Sequence, residues 1–363
     1  MWYMIFALIT LLFAVAVGYV IFRVHRFSPI QRLARKHKVL AWLFAVTAVA
    51  PIGLFALINQ YTVMIVFLHL LAAWMLCDFV AFVVRRKTKK KFGYDAQNIA
   101  AIALTAVYLG AGWFFAHHVY QTEYTFYTQK EIGADLRVVE IADAHLGKMM
   151  RGEKFAEQMK RVQATNPDVV VIAGDFVDID TEKADVVEAC RALGELKTRY
   201  GVYYIFGNHD EGYYRFRDFT GEELRGELTS NGVKILEDES VLIDDRFYIV
   251  GRHDKALRGR TSIEELTSEL DQSKYIIVLD HQPNDYANEA AAKVDLVLSG
   301  HTHGGHIFPA GFIGVAAGIN DFLYGTEKRD ETNFVVSSGI AGWAIPFKTG
   351  AISEYVVIDI RKN

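Results

Sequence analysis

The sequence predicts four membrane-spanning helices followed by a layered α/β domain, on three observations. Hydrophobic residues make up 52% of the 363-residue chain and mean hydropathy is +0.14, too apolar for an ordinary soluble enzyme. Charge is divided unevenly: residues 1–118 hold twelve Lys or Arg against Asp78 and Asp95, a formal +10, and the rest has 27 basic and 41 acidic residues, a formal −14. Beyond residue 135, short apolar runs alternate with amphipathic stretches, as strands and helices in succession do.

Four stretches reach the roughly 20 apolar residues that cross a bilayer: Met1 to Phe22, Val39 to Asn59, Thr62 to Val84 and Asn98 to Ala116. Only Asn59 to Thr62 separate the second from the third, so they read as a helical hairpin, and Pro51 is expected to kink the second. Arg23, Arg26, Arg32, Arg35, Lys36 and Lys38 fill the first loop, and Arg85, Arg86, Lys87, Lys89, Lys90 and Lys91 the third. Positive loops face the cytoplasm, so the chain beyond the fourth helix is expected outside it. A cleavable signal peptide is disfavoured at the N-terminus, because the first apolar run is long and no basic residue precedes it.

Ionisable groups inside a membrane are costly and often functional. Asp78 lies near the cytoplasmic end of its helix, within reach of interfacial water or the basic cluster, and His69 can hydrogen-bond within the bundle. His117 and His118 read as interfacial. Cys77 and Cys190 read as small buried hydrophobes, and two cysteines define no disulfide framework.

Residues 119–135 read as a polar connector and 136–363 as the second domain. Apolar runs at Leu136 to Ala142, Val169 to Ala173, Val202 to Phe206, Tyr275 to Leu279 and Leu296 to Leu298 are expected strands. More strand is expected near Phe247 to Val250, Phe334 to Ser337 and Glu354 to Ile358. Helices are expected at Gly152 to Thr165, Glu182 to Thr198, Gly221 to Asn231 and Ser262 to Leu270. Acid, amide and imidazole groups follow five of the runs, and the C-terminal edge of an α/β sheet is where ligands bind.

Those groups stand in IADAHLG at 141–147, AGDFVD at 173–178, FGNHD at 206–210, LDHQP at 279–283 and SGHTHGG at 299–305. Each string alone is weak; five in order are specific. Together they resemble the calcineurin-like metallophosphoesterase superfamily. DHQP, GHTHGG followed by IFP, and the closing SSGIAGW are most similar to bacterial membrane-associated members with several N-terminal helices. The resemblance implies two packed β-sheets flanked by helices, and a place in the inner membrane of a bacterial cell.

It further implies two metal sites, one held by Asp143, His145, Asp175 and His303, the other by Asp175, Asn208, His281 and His301, with Asp175 shared. Mixed oxygen and nitrogen ligands suit two divalent ions such as Mn, Fe or Zn. Such a pair lowers the pKa of a shared water and yields a hydroxide in line with phosphorus. By the same likeness His209 protonates or stabilises the leaving oxygen and Asp178 orients it. Asp210 reads equally as a residue behind the ligands or as a cap of the next turn. His306 stands where relatives carry glutamine; its imidazole suits a hydrogen bond to phosphate, or replaces an amide donor in the loop. Arg252 and His253 are candidate phosphate contacts.

The formal −14 of the second domain opposes nucleic acid as substrate. Apolar and aromatic residues between Ile307 and Tyr324, with Tyr213, Tyr214, Phe216 and Phe219, suggest lipid bilayer contact and a lipid-derived phosphoester, although core packing is the commoner fate of such residues. A soluble extracytoplasmic phosphate compound, or a metal-dependent binding or sensing module without turnover, are the other readings.

Overall fold

In the computed structural model, residues 2–89, 93–212, 214–257 and 259–363 are described; Lys90, Lys91 and Tyr213 lie outside them, as does the side chain of Tyr214. The chain divides into two units, Met1–Gly112 and Trp113–Asn363.

Helices Lys38–Leu57, Gln60–Thr88 and Tyr94–His117 are long and apolar enough to cross a membrane. A fourth span results if Thr10–His25 and Ser28–Ala34, bent by 81°, count as one. Pro51 removes a backbone donor, and around it the helix tightens from α at Lys38–Val49 to 3-10 at Ala50–Leu57. Asn59 caps the next helix by accepting from the Thr62 amide at 2.9 Å.

Asp78 is satisfied by a partner that composition did not single out. The buried Arg23 guanidinium donates to both its oxygens at 2.9 and 2.8 Å, and Tyr19 adds a hydroxyl bond at 3.0 Å. Arg23 also donates to Asn98 Oδ1 at 3.0 Å, which accepts from Trp74 Nε1 at 3.1 Å as well. Three helices are thereby joined through one polar knot, whose charges are paired as an apolar setting demands. His69 bonds within its own helix, to the Ile65 carbonyl at 2.8 Å.

The second unit is two mixed sheets. Strands Val119–Thr128 (β1), Leu136–Ile141 (β2), Val169–Ala173 (β3), Val202–Ile205 (β4) and Val233–Ile235 (β5) belong to the first sheet. Glu239–Ile243 (β6), Phe247–Gly251 (β7), Tyr275–Leu279 (β8), Leu296–Ser299 (β9), Gly325–Arg329 (β10) and Thr332–Val336 (β11) form the second. Ser353–Lys362 (β12) returns to the first. The orders are β1-β12-β2-β3-β4-β5 and β10-β11-β9-β8-β7-β6.

Residues 119–128 are therefore strand rather than connector. They pair in parallel with β12 from Val119↔Ser353 to Thr128↔Lys362. Thr, Tyr and Phe favour a half-buried pleat, and burial alternates along the strand with period two, a signal hidden by the polar residues of its other face.

Between the sheets lie Val138, Val169, Val171, Tyr203 and Ile205 from one side and Ile249, Ile277, Leu279, Leu298 and Val335 from the other. Helices Gly152–Ala164, Lys183–Gly194 and Gly221–Ser230 cover the first sheet, and Ile263–Thr267 with Tyr286–Ala291 cover the second. Cys190 is packed within the first of these outer layers, its thiol pushed up to about 12 by burial. The parallel strands β2, β3 and β4, and likewise β8 and β9, end at a common edge of their sheets, and there the polar strings emerge.

Candidate metal centre

Each strand stops where its string begins, and the loops are stitched edge to edge. Asp143 N donates to the Gly174 carbonyl and His145 N to that of Asp175, both at 3.0 Å. Gly300 N reaches the His281 carbonyl at 3.0 Å, and Ile340 N that of Ala142 at 2.9 Å. Asp143, His145, Asp175, His301, His303 and His306 all have positive φ, a conformation uncommon outside glycine that clusters at functional sites. At Gly174, φ +85°, a Cβ would stand 2.7 Å from His281 Nδ1, so only glycine lets the loops close this far.

Among the described residues the donors gather in three groups, one of which, His145 with Asp178 and His209, shares His145 with the group of Asp143 and His303. Asp143, His145 and His303 can each offer an atom within 4.8 Å of the others, and so can Asp175, His281 and His301. His145 Nε2 and His303 Nε2 are 3.1 Å apart, and Asp143 Oδ1 lies 3.9 Å from the first and 3.7 Å from the second. Asp175 Oδ2 is 3.7 Å from His145 Nε2 and 3.2 Å from His281 Nε2, which puts one carboxylate oxygen between the groups. Its other oxygen accepts the His209 amide at 2.8 Å.

The residues present fit a pair of divalent ions. Among the described residues, Asn208 Oδ1 and His303 Nδ1 are buried without a hydrogen-bond partner, a costly state for polar atoms. His281 Nδ1 donates to the Ala173 carbonyl at 2.8 Å, which turns Nε2 to Asp175, as a backing hydrogen bond does for a ligating imidazole. Burial and the neighbouring His281 push His301 down to about 3, and burial with His145 holds His303 well below the usual imidazole range, so both rings are neutral, the form that binds metal. Burial opposes charge on His281, yet the adjacent Asp175 carboxylate holds its imidazole well above the usual range.

His209 and Asp178 adjoin the first group. His209 Nδ1 donates to Asp178 Oδ1 at 3.0 Å, and Asp178 Oδ2 faces His145 Nδ1 at 3.3 Å. One carboxylate thus aligns a ligand ring and a second imidazole. Burial would raise Asp178, but bonds to His145 and His209 hold it well below the carboxylate range. Asp210 lies behind the ligands: Oδ1 accepts Phe176 N at 2.9 Å and Val177 N at 3.0 Å, and Oδ2 accepts Gly207 N at 2.8 Å. Burial and Asp175 push it up to about 6.

The other sequence candidates are placed less centrally. The guanidinium of Arg252 is committed to Asp280, Asp285 and Glu289 at 3.0, 2.8 and 3.1 Å, so it braces the residue before His281 instead of facing phosphate. His253 Nδ1 stands 4.0 Å from Glu237 Oε1. His306 Nε2 donates to the Ile345 carbonyl at 3.2 Å, and burial pushes its ring down to about 3, making it a neutral brace of the loop. Phe219 is core; Phe216 is exposed.

Four residues around the centre were not singled out from the sequence, Trp343 among them although it closes the SSGIAGW string. Buried Arg217 donates to the carbonyls of Asp178 and Asp210 at 2.8 Å each and to that of His209, clamping both catalytic loops. Trp343 places its ring 5.4 Å from that of His209. Lys348, pushed down to about 7 by burial, donates to the Gly339 and Ile352 carbonyls at 3.2 and 3.0 Å. Asp254 accepts Gln282 Nε2 at 2.8 and 3.0 Å, next to His281.

Comparison with known proteins decides the family. The calcineurin-like phosphoesterase family matches residues 136–305. An uncharacterized metallophosphoesterase of Aquifex aeolicus is 32% identical over 70% of this chain and 97% of its own length. The chain belongs to the calcineurin-like metallophosphoesterases. Its α/β domain is that of a metal-dependent phosphoesterase. A metallophosphoesterase of Campylobacter jejuni is 33% identical over 62% of this chain and 59% of its own length. A transmembrane protein with metallophosphoesterase domain from Danio rerio is 29% identical over 74% and 64%. Against the Campylobacter and Danio relatives the chain thus spans less than two thirds of their length.

Proposed function

We propose that this metallophosphoesterase is a membrane-anchored hydrolase that carries two divalent ions, Mn, Fe or Zn, and cleaves phosphoesters of the bacterial cell envelope, lipid headgroup esters among them. The observation that carries the reading is the position of Asp175 Oδ2 between His145 and His281, which supports one carboxylate shared by two ions. Asp143, His145, Asp175 and His303 would hold the first ion, and Asp175, Asn208, His281 and His301 the second. When bound, such ions polarise phosphoryl oxygens and acidify a water between them.

The remaining chemistry falls to side chains. Asp178 accepts a hydrogen bond from His209 Nδ1, which leaves Nε2 to the site; as the imidazolium, the ring can give its Nε2 proton to the departing alkoxide oxygen and is left neutral with Nδ1–H still bonded to Asp178. The same carboxylate keeps Nε2 of His145 turned to the first ion. Asp210 and Arg217 hold the loops that bear Asp178, Asn208 and His209 in register. The Trp343 ring, 5.4 Å from that of His209, borders the same side of the site.

The basic loops before and after the helical hairpin favour the inner membrane with the catalytic domain outside the cytoplasm. Full-length protein loaded with Mn²⁺, Fe²⁺ or Zn²⁺ should release p-nitrophenol from bis(p-nitrophenyl) phosphate or p-nitrophenyl phosphate. Full metal occupancy with no turnover of either ester would point instead to a binding module.

A further inference from the structure

Beside the metal cluster a band of large apolar side chains is left uncovered, and we propose that it binds the surface of a lipid bilayer and admits lipid-borne phosphoesters to the site. Residues 307–319 contain no charged or polar side chain, and helix Ala310–Ala316 has no buried residue. Phe308, Phe312, Ile313 and Ile319 are 53%, 59%, 65% and 63% exposed. Scattered apolar residues on a surface are ordinary, but a helix apolar all round is normally covered, and here no residue of it is fully buried.

The band is continuous with the catalytic centre. Gly311 packs directly on Gly305 of the ligand loop, leaving no room for a Cβ. Phe308 N donates to Thr349 Oγ1 at 3.1 Å, and the Phe308 and Phe312 rings are 6.0 Å apart. From Phe308 the surface passes over His306, bonded to Ile345, to Trp343, 41% exposed, whose ring borders His209. An amphiphile lying on this band would have its polar end at the donors.

A bilayer is the occupant that the chain itself supplies. Helix Tyr94–His117 is apolar enough to span a membrane, and only His118 separates it from β1, so tethering keeps the domain at high effective concentration near lipid. Attraction to anionic headgroups is not the driving term, because the part of the chain beyond residue 118 has a formal −14. Contact through apolar side chains alone is insensitive to salt, unlike a polybasic patch.

The inference rests on the proposed hydrolase for its catalytic half and stands apart from it for its binding half, and two readouts separate them. Full-length protein with Cys77 and Cys190 replaced by alanine carries a spin label at Ile313→Cys, in phosphatidylcholine nanodiscs. The label should be more accessible to oxygen than to a polar nickel chelate, whereas one at Tyr127→Cys on β1 should show the reverse. A water-exposed label at 313, or dipolar broadening from a second copy, overturns the proposal whatever the activity. The second readout uses Phe312→Asp with Ile313→Asp, in nanodiscs that also hold phosphatidic acid or phosphatidylglycerol. The ratio of lipid-ester to bis(p-nitrophenyl) phosphate turnover should fall about tenfold and stay unchanged by high salt. An unaltered ratio overturns the role in substrate access, and loss of both activities in the wild type overturns the hydrolase instead.

Discussion

Asp178 is the smallest unit on which the chemistry turns, because its two oxygens face two different imidazoles. His209→Ala should keep its metal and lose ~100 to 10,000-fold in kcat; normal kcat at full occupancy removes His209 from the reaction. Asp178→Asn should be harmful twice, loosening metal through His145 and lowering kcat through His209, which metal analysis beside kinetics resolves. The proton on His281 gives a pH dependence with a definite sign. Asp175 holds that imidazole well above its usual range, so near neutral pH the ion must displace a proton, and affinity should rise with pH until the raised value is passed. Calorimetry in buffers of different ionisation enthalpy should show proton release; affinity that falls with pH would contradict the ligand role. Residues at this scale were legible where type and spacing carry chemistry, as in His301 and His303. Arg217 and Lys348 were not, since an arginine that clamps carbonyls looks in sequence like any solvated arginine, and only packing distinguishes them; Trp343 closes the SSGIAGW string, but its place beside His209 is visible only in the fold.

At the scale of elements, the strand ends do the positioning. Gly300 follows β9 directly and opens the ligand-bearing turn, and a Cβ there would collide with Asp143 Oδ2. Gly300→Ala should therefore displace a ligand and reduce bound metal while circular dichroism stays native; unaltered metal content would mean that the loop has slack. The buried strands of the parallel core were readable as short apolar runs. The strand β1 was not, because its polar face imitates a linker, and β5, β6 and β10 are short or polar strands at sheet edges. Glu140 sits wholly buried on β2, and burial, Glu354 and Asp143 together raise its pKa well above the usual value. It shows how a strand that reads as apolar can hide a polar group in the core. In the helical unit, charge counting assigned Arg23 to a loop, whereas it is the last turn of its helix that carries it to Asp78.

For the whole molecule, the asymmetry of charge gives a topology. Cysteine introduced at exposed Tyr127, in a chain freed of Cys77 and Cys190, should react with an impermeant maleimide in cells whose inner membrane is intact. Reaction only after that membrane is breached would reverse the orientation. The central claim is that one chain holds two ions through a shared Asp175 and uses them on phosphoesters. Metal-free full-length protein titrated with Mn²⁺ measures this most directly, with bound metal and ester turnover followed together. A dinuclear hydrolase binds two equivalents per chain, gains activity as the second is filled, and loses both that equivalent and its turnover in Asp175→Asn. Saturation at a single equivalent, or two equivalents untouched by the Asp175→Asn change, would contradict it.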